Sequence, residues 1–252
     1  MAVITDENDL KIAPAGYAFS IWGVIYSLLG VFMIYQALPG DWVPDRNDKF
    51  IFEDIGYQFA VNMVINGLWL VLFMTGGGTT VGFGLALVDI IAMLTSNIWI
   101  LTQASSTTLN LTEVLSLRTG FSIYSGWVTA ATILNVSFLL KALGLKDPNI
   151  MYGFTEEKLT ELVLWVAFVI YNLFAYSQRN PLYGSIFIWV TLAIKSELLD
   201  KHPDLTSLID ELTTISGIQI VSMVVLWTLL SSEVIYDLNV PSNWNTGLFY
   251  GW

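Results

Sequence analysis

The chain has no cysteine and a single histidine, His202. Without cysteine, disulfides and thiolate chemistry are excluded. One histidine in a polar loop rules out a haem held by two histidines, a His-rich metal site within the chain and a credible Ser–His–Asp set. Charge is scarce as well: 12% of the residues are charged, against about 25% in a soluble domain. No apolar stretch carries paired carboxylates, and no phosphate-binding loop is present. The triplet Gly76-Gly77-Gly78 lacks a following Gly-Lys-Ser/Thr and reads as a turn. Residues 1–13 are acidic where a secretory signal is basic and a mitochondrial transit peptide is Arg-rich, so insertion is expected to rely on the first helix. Together these absences point away from an enzyme.

What the chain has instead is apolar surface. Of its 252 residues, 55% are hydrophobic, and the mean hydropathy is +0.64. Seven stretches are long enough to cross a membrane, which takes roughly 17–25 residues. Each carries one tryptophan: Trp22, Trp69, Trp99, Trp127, Trp165, Trp189 and Trp227. Only helices and closed barrels satisfy the backbone in lipid, and these runs do not alternate as barrel strands do. The expected fold is an all-α membrane protein, a bundle of about seven transmembrane helices near residues 16–38, 53–75, 80–103, 115–143, 155–177, 181–195 and 213–233. The sixth has the shortest apolar run, 182–194, and reads as re-entrant or tucked inside the bundle. Seven spans put the termini on opposite sides. Six lysines on the N-terminal side face four Lys/Arg on the other, which favours an N-terminus inside.

Three stripes carry the functional reading. On the first helix, Phe19, Trp22 and Tyr26 share a face at i, i+3, i+7. On the second, Asn62, Asn66, Trp69 and Phe73 do so at i, i+4, i+7, i+11. On the fourth, Tyr124, Trp127, Ala131 and Asn135 follow a similar pattern. Amides in a membrane helix are expensive unless they bond a neighbouring helix or face a cavity. Asp89 is the only acid at the apolar centre of a span, where a charge costs about 2.5–3.5 kcal/mol. It is expected to be protonated, paired or facing water. The competing reading is structural: the asparagines bond neighbouring helices, and tryptophans at span ends form an interfacial belt. That belt reading applies most to Trp99, Trp165, Trp189 and Trp227. The sequon Asn110-Leu111-Thr112 reads as a chance match.

The segments Pro14-Ala-Gly-Tyr-Ala-Phe19-Ser-Ile-Trp22-Gly-Val-Ile-Tyr26, Asn66-Gly-Leu-Trp69-Leu-Val-Leu-Phe73, Leu87-Val-Asp89-Ile and Tyr124-Ser-Gly-Trp127 with Ala131 and Asn135 resemble, in order and spacing, the TspO/translocator protein family of tryptophan-rich sensory proteins. The resemblance covers roughly residues 14–140. It departs from the pattern in lacking the family's first helix ahead of Pro14 and in having Ile123 where the family has proline. It implies a TspO-like four-helix part at 1–145, resembling four helices of a five-helix fold. Three additional transmembrane helices would follow at 146–233, one of them filling the place of the missing first helix, and then an aromatic tail at 234–252.

The resemblance further implies an integral, multi-pass protein that binds or transports a flat apolar ligand, porphyrin or sterol-like, within its bundle. Trp22, Tyr26, Trp69, Tyr124 and Trp127 would supply walls, and Asn66, Asn135 and Asp89 anchors. No covalent cofactor is expected; a porphyrin, sterol or bound lipid is. The alternative is a non-catalytic accessory subunit of a larger complex, such as a mitochondrial respiratory complex. Its partners would be membrane lipids and proteins docking through the tail and the acidic loops, which carry most of the net charge of −11. That sign disfavours nucleic acid.

Overall fold

The computed structural model describes residues 10–76, 78–144 and 155–239, with side chains to residue 232. Residues 1–9, Gly77, residues 145–154 and residues 240–252, which include most of the aromatic tail, lie outside them. Seven helices among the described residues are long and apolar enough to cross a membrane. They are α1 (Gly16–Ala37), α2 (Gln58–Gly76), α3 (Thr80–Ser105), α4 (Leu111–Ala142), α5 (Glu156–Ser177), α6 (Pro181–Lys201) and α7 (Thr206–Asn239). The all-α membrane bundle expected from the sequence is the fold observed.

The ends of the helices follow local chemistry. Asn110 caps α4 in a capping box: its side chain accepts from the Glu113 backbone, and the Glu113 carboxylate accepts from the Asn110 backbone N–H at 3.0 Å. The same carboxylate accepts from the Asn47 N–H at 2.8 Å, so a fully buried acid pins the first loop to the start of α4. The Asn110 amide also donates to the Tyr35 hydroxyl at 2.7 Å. Its side chain is therefore committed to the fold, in keeping with a chance sequon. Next to Asn47, Arg46 reaches back to donate to the carbonyls of Tyr35, Gln36 and Leu38, the last at 2.6 Å. A cation answers the exposed carbonyls where α1 ends. Asn180 caps α6, with proline at its first turn.

Among the boundaries that differ from expectation, three have a local cause. A short π-helical turn, Phe50–Ile55, precedes α2 and ends at Gly56, whose φ of +50° interrupts the helix before Gln58. The sixth helix does not stop at 195. It runs on to Lys201 because Leu198 stays buried while Lys201 and Glu197 pair on the outer face at 2.6 Å. The seventh starts at Thr206 rather than 213: Leu208, Ile209 and Leu212 face inward although Asp210 and Glu211 interrupt the apolar run.

α4 and α6 are the central pillars. Half of each span is buried, against a third or less of the other five. The short apolar run of the sixth helix thus belongs to a full-length span inside the bundle, where neighbouring helices rather than lipid cover its small and polar positions. α3 packs on one side of α4 and carries α2 on its flank, α1 packs on another side of α4, and α5 and α7 pack on α6. One apolar core runs from Leu10 to Leu226. The stretch before α1 docks on α6: the Ala15 N–H donates to the Ala193 carbonyl at 3.1 Å, and Trp189 Nε1 donates to the Ala18 carbonyl at 3.2 Å.

Hydroxyls and amides hold the pillars together. Thr129 on α4 bonds Tyr183 on α6 at 2.8 Å, and Tyr171 on α5 donates to the Gly126 carbonyl at 2.5 Å. Gln219 on α7 donates to the Gly184 carbonyl at 2.9 Å and accepts from Asn172 on α5 at 2.6 Å. Small residues permit the approach, as membrane helices require. A Cβ on Gly126 would lie 2.8 Å from Ile186 Cγ1 and 3.0 Å from the Tyr183 carbonyl oxygen. Gly126→Ala is therefore expected to push α4 from α6 and to destabilise the bundle by about 1–3 kcal/mol, read as a lower thermal midpoint in detergent. An unchanged midpoint would show that the two helices are not packed this closely.

Candidate functional site

The interior is layered along the bundle axis. Its polar layer is built from α1–α4. Asn62 donates to Asn97 Oδ1 at 2.6 Å, and both are fully buried. One turn on, Asn66 is a hub: its Oδ1 accepts from the Tyr26 hydroxyl at 2.9 Å, and its Nδ2 donates to the Tyr124 hydroxyl at 2.7 Å. The Tyr124 hydroxyl in turn donates to Met93 Sδ at 3.0 Å. One side-chain amide thus joins α1, α2 and α4, with α3 reached through Met93.

Above this layer stands an aromatic one. Trp22 stacks on Tyr26 with ring centres 5.3 Å apart, and meets Trp69 at 6.1 Å, Tyr124 at 5.8 Å and Trp127 at 6.4 Å. The last two contacts are edge-to-face, a favoured geometry for aromatic pairs. Phe19 meets Trp127 edge-on at 5.6 Å, and Phe73 stacks on Trp69 at 5.3 Å. The tryptophans divide by burial. Trp22, Trp69 and Trp127 are buried, whereas Trp99, Trp165, Trp189 and Trp227 are all at least 36% exposed and face outward.

Beyond the aromatic layer lies an apolar cavity of about 40 Å³. α2 contributes Trp69 and Phe73, and α4 contributes Trp127, Ala131 and Asn135. The remaining wall comes from Phe19, from the stretch before α1, and from α5 and α6. Of the residues expected from sequence to meet a ligand, Trp69, Trp127 and Asn135 line this space, together with Phe19, Phe73 and Ala131 of the same stripes. Trp22 lies behind its wall. Tyr26, Asn66 and Tyr124 belong to the polar layer below. Asp89 is half-buried on α3, with Oδ2 shielded and unbonded; no α3 residue lines the cavity.

Three polar atoms on the cavity wall have no partner in the protein: Trp69 Nε1, Trp127 Nε1 and Asn135 Oδ1. The Asn135 amide nitrogen is spent on the Ala131 carbonyl at 2.8 Å, which leaves its oxygen to the cavity. A buried polar atom without a partner costs about 1–3 kcal/mol. Two indole donors at one level and an amide acceptor further along are therefore groups that an occupant can satisfy. Trp127 and Asn135 are eight residues apart on α4, about 12 Å along the axis at 1.5 Å per residue.

The far wall was not singled out from sequence. Leu164, Ala167 and Tyr171 on α5, and Phe187, Val190 and Ile194 on α6, each repeat at i, i+3, i+7. The signal was the same as on α1, but these stripes carry no amide to set them apart from ordinary packing.

A second, larger space of about 290 Å³ lies between α4 and α5 and shares Ile12 and Ile133 with the aromatic cavity.

Asn66→Leu removes the hub and with it the Tyr26 and Tyr124 bonds, leaving the Tyr124 hydroxyl only Met93. It is expected to lower the thermal midpoint clearly, at about 0.6–1.7 kcal/mol per interhelical bond lost. Tyr26→Phe, which deletes one bond at a residue 46% exposed, is expected to cost less. The reverse order in a detergent unfolding series would remove Asn66 from the centre of the network.

A family model described as "TSPO-like protein" matches residues 1–232. The match runs through all seven spans, well past the motif-bearing residues 14–140. No curated protein matches the chain. No solved structure matches it either.

Proposed function

The chain belongs to the TSPO-like protein family, and we propose that it is a non-catalytic membrane protein that binds an elongated apolar molecule in the cavity between Trp127 and Asn135. The observation that carries this reading is the set of unpartnered polar atoms on an otherwise apolar wall. They call for a ligand with a hydrogen-bond acceptor at the tryptophan end, a donor at the asparagine end and apolar bulk between. Aromatic walls with few polar anchors are the usual make-up of a small-molecule site.

Volume separates the candidate ligands. A site for a drug-sized molecule occupies roughly 300–1,000 Å³, and the cavity here is about 40 Å³. A porphyrin macrocycle would need the α2–α4 wall to part widely from α5 and α6. A narrow sterol-like body demands less, and its chemistry suits the walls. We therefore favour a sterol-shaped ligand over a tetrapyrrole. Its binding would part the helices by side-chain and helix shifts around Phe19, Phe73 and Phe187.

The same small volume supports a second reading. The family fold is retained here with an interior filled largely by its own rings, as suits an accessory subunit of a larger membrane assembly, a mitochondrial one among the candidates. Its protein partners would meet the acidic loops or residues 240–252.

Titration of the full chain in nanodiscs with a fluorescent sterol and, separately, with free-base protoporphyrin separates these readings. The sterol probe is expected to bind with quenching of tryptophan emission, and more tightly than the porphyrin. Trp127→Phe, which keeps the ring wall and deletes the N–H, is expected to weaken binding about tenfold, and Asn135→Leu similarly, as loss of one buried hydrogen bond implies. Binding of neither probe, or identical affinities in both variants, would overturn the cavity reading and leave the accessory subunit.

A further inference from the structure

Hydroxyls on the outer faces of these helices bond back to their own backbone. Ser27, Thr75, Thr95 and Thr102 donate to the carbonyls of Gly23, Val71, Ile91 and Ile98, at 2.7 to 2.8 Å. Ser96 on α3 does not: its Oγ is shielded and has no partner, and neither does Asp89 Oδ2 on the same helix. These two residues belong to a repeat. Asp89, Ser96 and Gln103 are seven residues apart, and each is half-buried. Leu85, Ala92 and Trp99 form a second row with the same period, each four residues ahead of a member of the first, and all three are exposed. The two rows occupy the a and d positions of successive heptads, the pattern of a seam between two parallel helices. Among the described residues no helix covers the outer row, where Leu85 is 52% and Trp99 38% exposed.

Lipid tails offer Asp89 and Ser96 no hydrogen bond, and polar side chains in a membrane helix act as glue to another helix. Since Asp89 Oδ2 and Ser96 Oγ hold no internal bond, both side chains can turn outward without breaking one. The chemistry of the row selects its partner. A neutral carboxyl, a hydroxyl and an amide each donate and accept, so each can pair with a copy of itself. Two chains inserted in one membrane with the same topology run their α3 helices parallel about a two-fold axis along the membrane normal. Residues beside such an axis meet their own counterparts at the same depth. Asp89, Ser96 and Gln103 are complementary to themselves in that arrangement, whereas a different protein would need donors and acceptors at the same three depths. Ala92 lies mid-seam, where a small side chain lets two backbones come close, and Leu85 and Trp99 pack to either side of it.

We propose that α3 is a self-association face, on which a second copy of this chain packs in parallel through the row Asp89, Ser96 and Gln103. The face is separate from the aromatic cavity, to which α3 contributes no residue, and it stands whether or not that cavity takes a ligand.

Because the chain has no cysteine, one introduced thiol can form a disulfide only with another molecule. The test is oxidation of the full chain carrying Ala92→Cys, reconstituted in phosphatidylcholine vesicles at high lipid dilution, with membrane-permeant copper–phenanthroline. A covalent dimer is expected, since mid-seam residues come within the Cα separation of a disulfide, about 4.4–6.8 Å. Ile91→Cys, at a residue 48% exposed but outside the two rows, is expected to give little. Adding Asp89→Leu to Ala92→Cys should lower the apparent association about tenfold, the effect of losing one interhelical polar contact in a membrane. Asp89→Asn, whose amide still donates and accepts, should keep it. The thermal midpoint in dilute detergent should stay near that of the parent in both, which separates a docking role from an internal one. No dimer from Ala92→Cys, equal yields from positions 91 and 92, or a yield indifferent to Asp89→Leu would overturn the proposal. So would oxidation in native membranes that joins the Ala92→Cys chain to a different protein and not to its own copy.

Discussion

A side-chain amide in hydrocarbon has no water to turn to, so its hydrogen bonds must be met by another helix or by something bound between helices. Much of this bundle follows from how its buried asparagines meet that demand. Asn66 is answered on both sides, by Tyr26 and Tyr124, and so fixes α1, α2 and α4 around one point. Asn62 is answered by Asn97. Asn135, on the same stripe of α4 as Tyr124, is answered only through its nitrogen and by its own helix. That difference sets a layer whose amides reach across helices apart from a cavity wall whose amide does not, although Asn62 Oδ1 and Asn97 Nδ2 in the first layer are also without a partner.

Trp22 stands between the two. It rests on Tyr26 and Tyr124, which are tied to Asn66, and its ring meets both Trp69 and Trp127 on the cavity wall. The polar lock thereby sets the position of the wall. Five helices close the space: α1, α2, α4, α5 and α6. Two of these lie beyond residue 145, and α3, whose acid drew attention in the sequence, is not among them. The helices that follow the motif-bearing part are thus structural neighbours of the stripes, joined to them by Gly126, Thr129 and Tyr171.

Seven spans were legible because a run of about twenty apolar residues has few other uses. The ends of α6 and α7 were harder to place. Their last and first turns bury Leu198, Leu208, Ile209 and Leu212 on one face and carry charge on the other, and a reading that stops at the first charge truncates them. The stripes on α1, α2 and α4 were visible because amides and tryptophans recur there at helical spacing. Sequence spacing could not say that the stripes divide along their length, with Asn66 spent on tyrosines and Trp69 left facing a cavity. Partners on other helices decide that. Nor could it choose the direction in which Asp89 looks, since a lone acid marks a helix and not a face of the bundle.

The central claim is that the unanswered atoms on Trp69, Trp127 and Asn135 are a binding site. It is tested most directly by isolating the protein from its native membrane in mild detergent, sizing the particle and identifying small molecules that travel with it by mass spectrometry. The account predicts a small particle carrying one elongated apolar molecule per chain, with an acceptor at one end and a donor at the other. A protein that carries no such molecule and elutes only as part of a much larger assembly would contradict it.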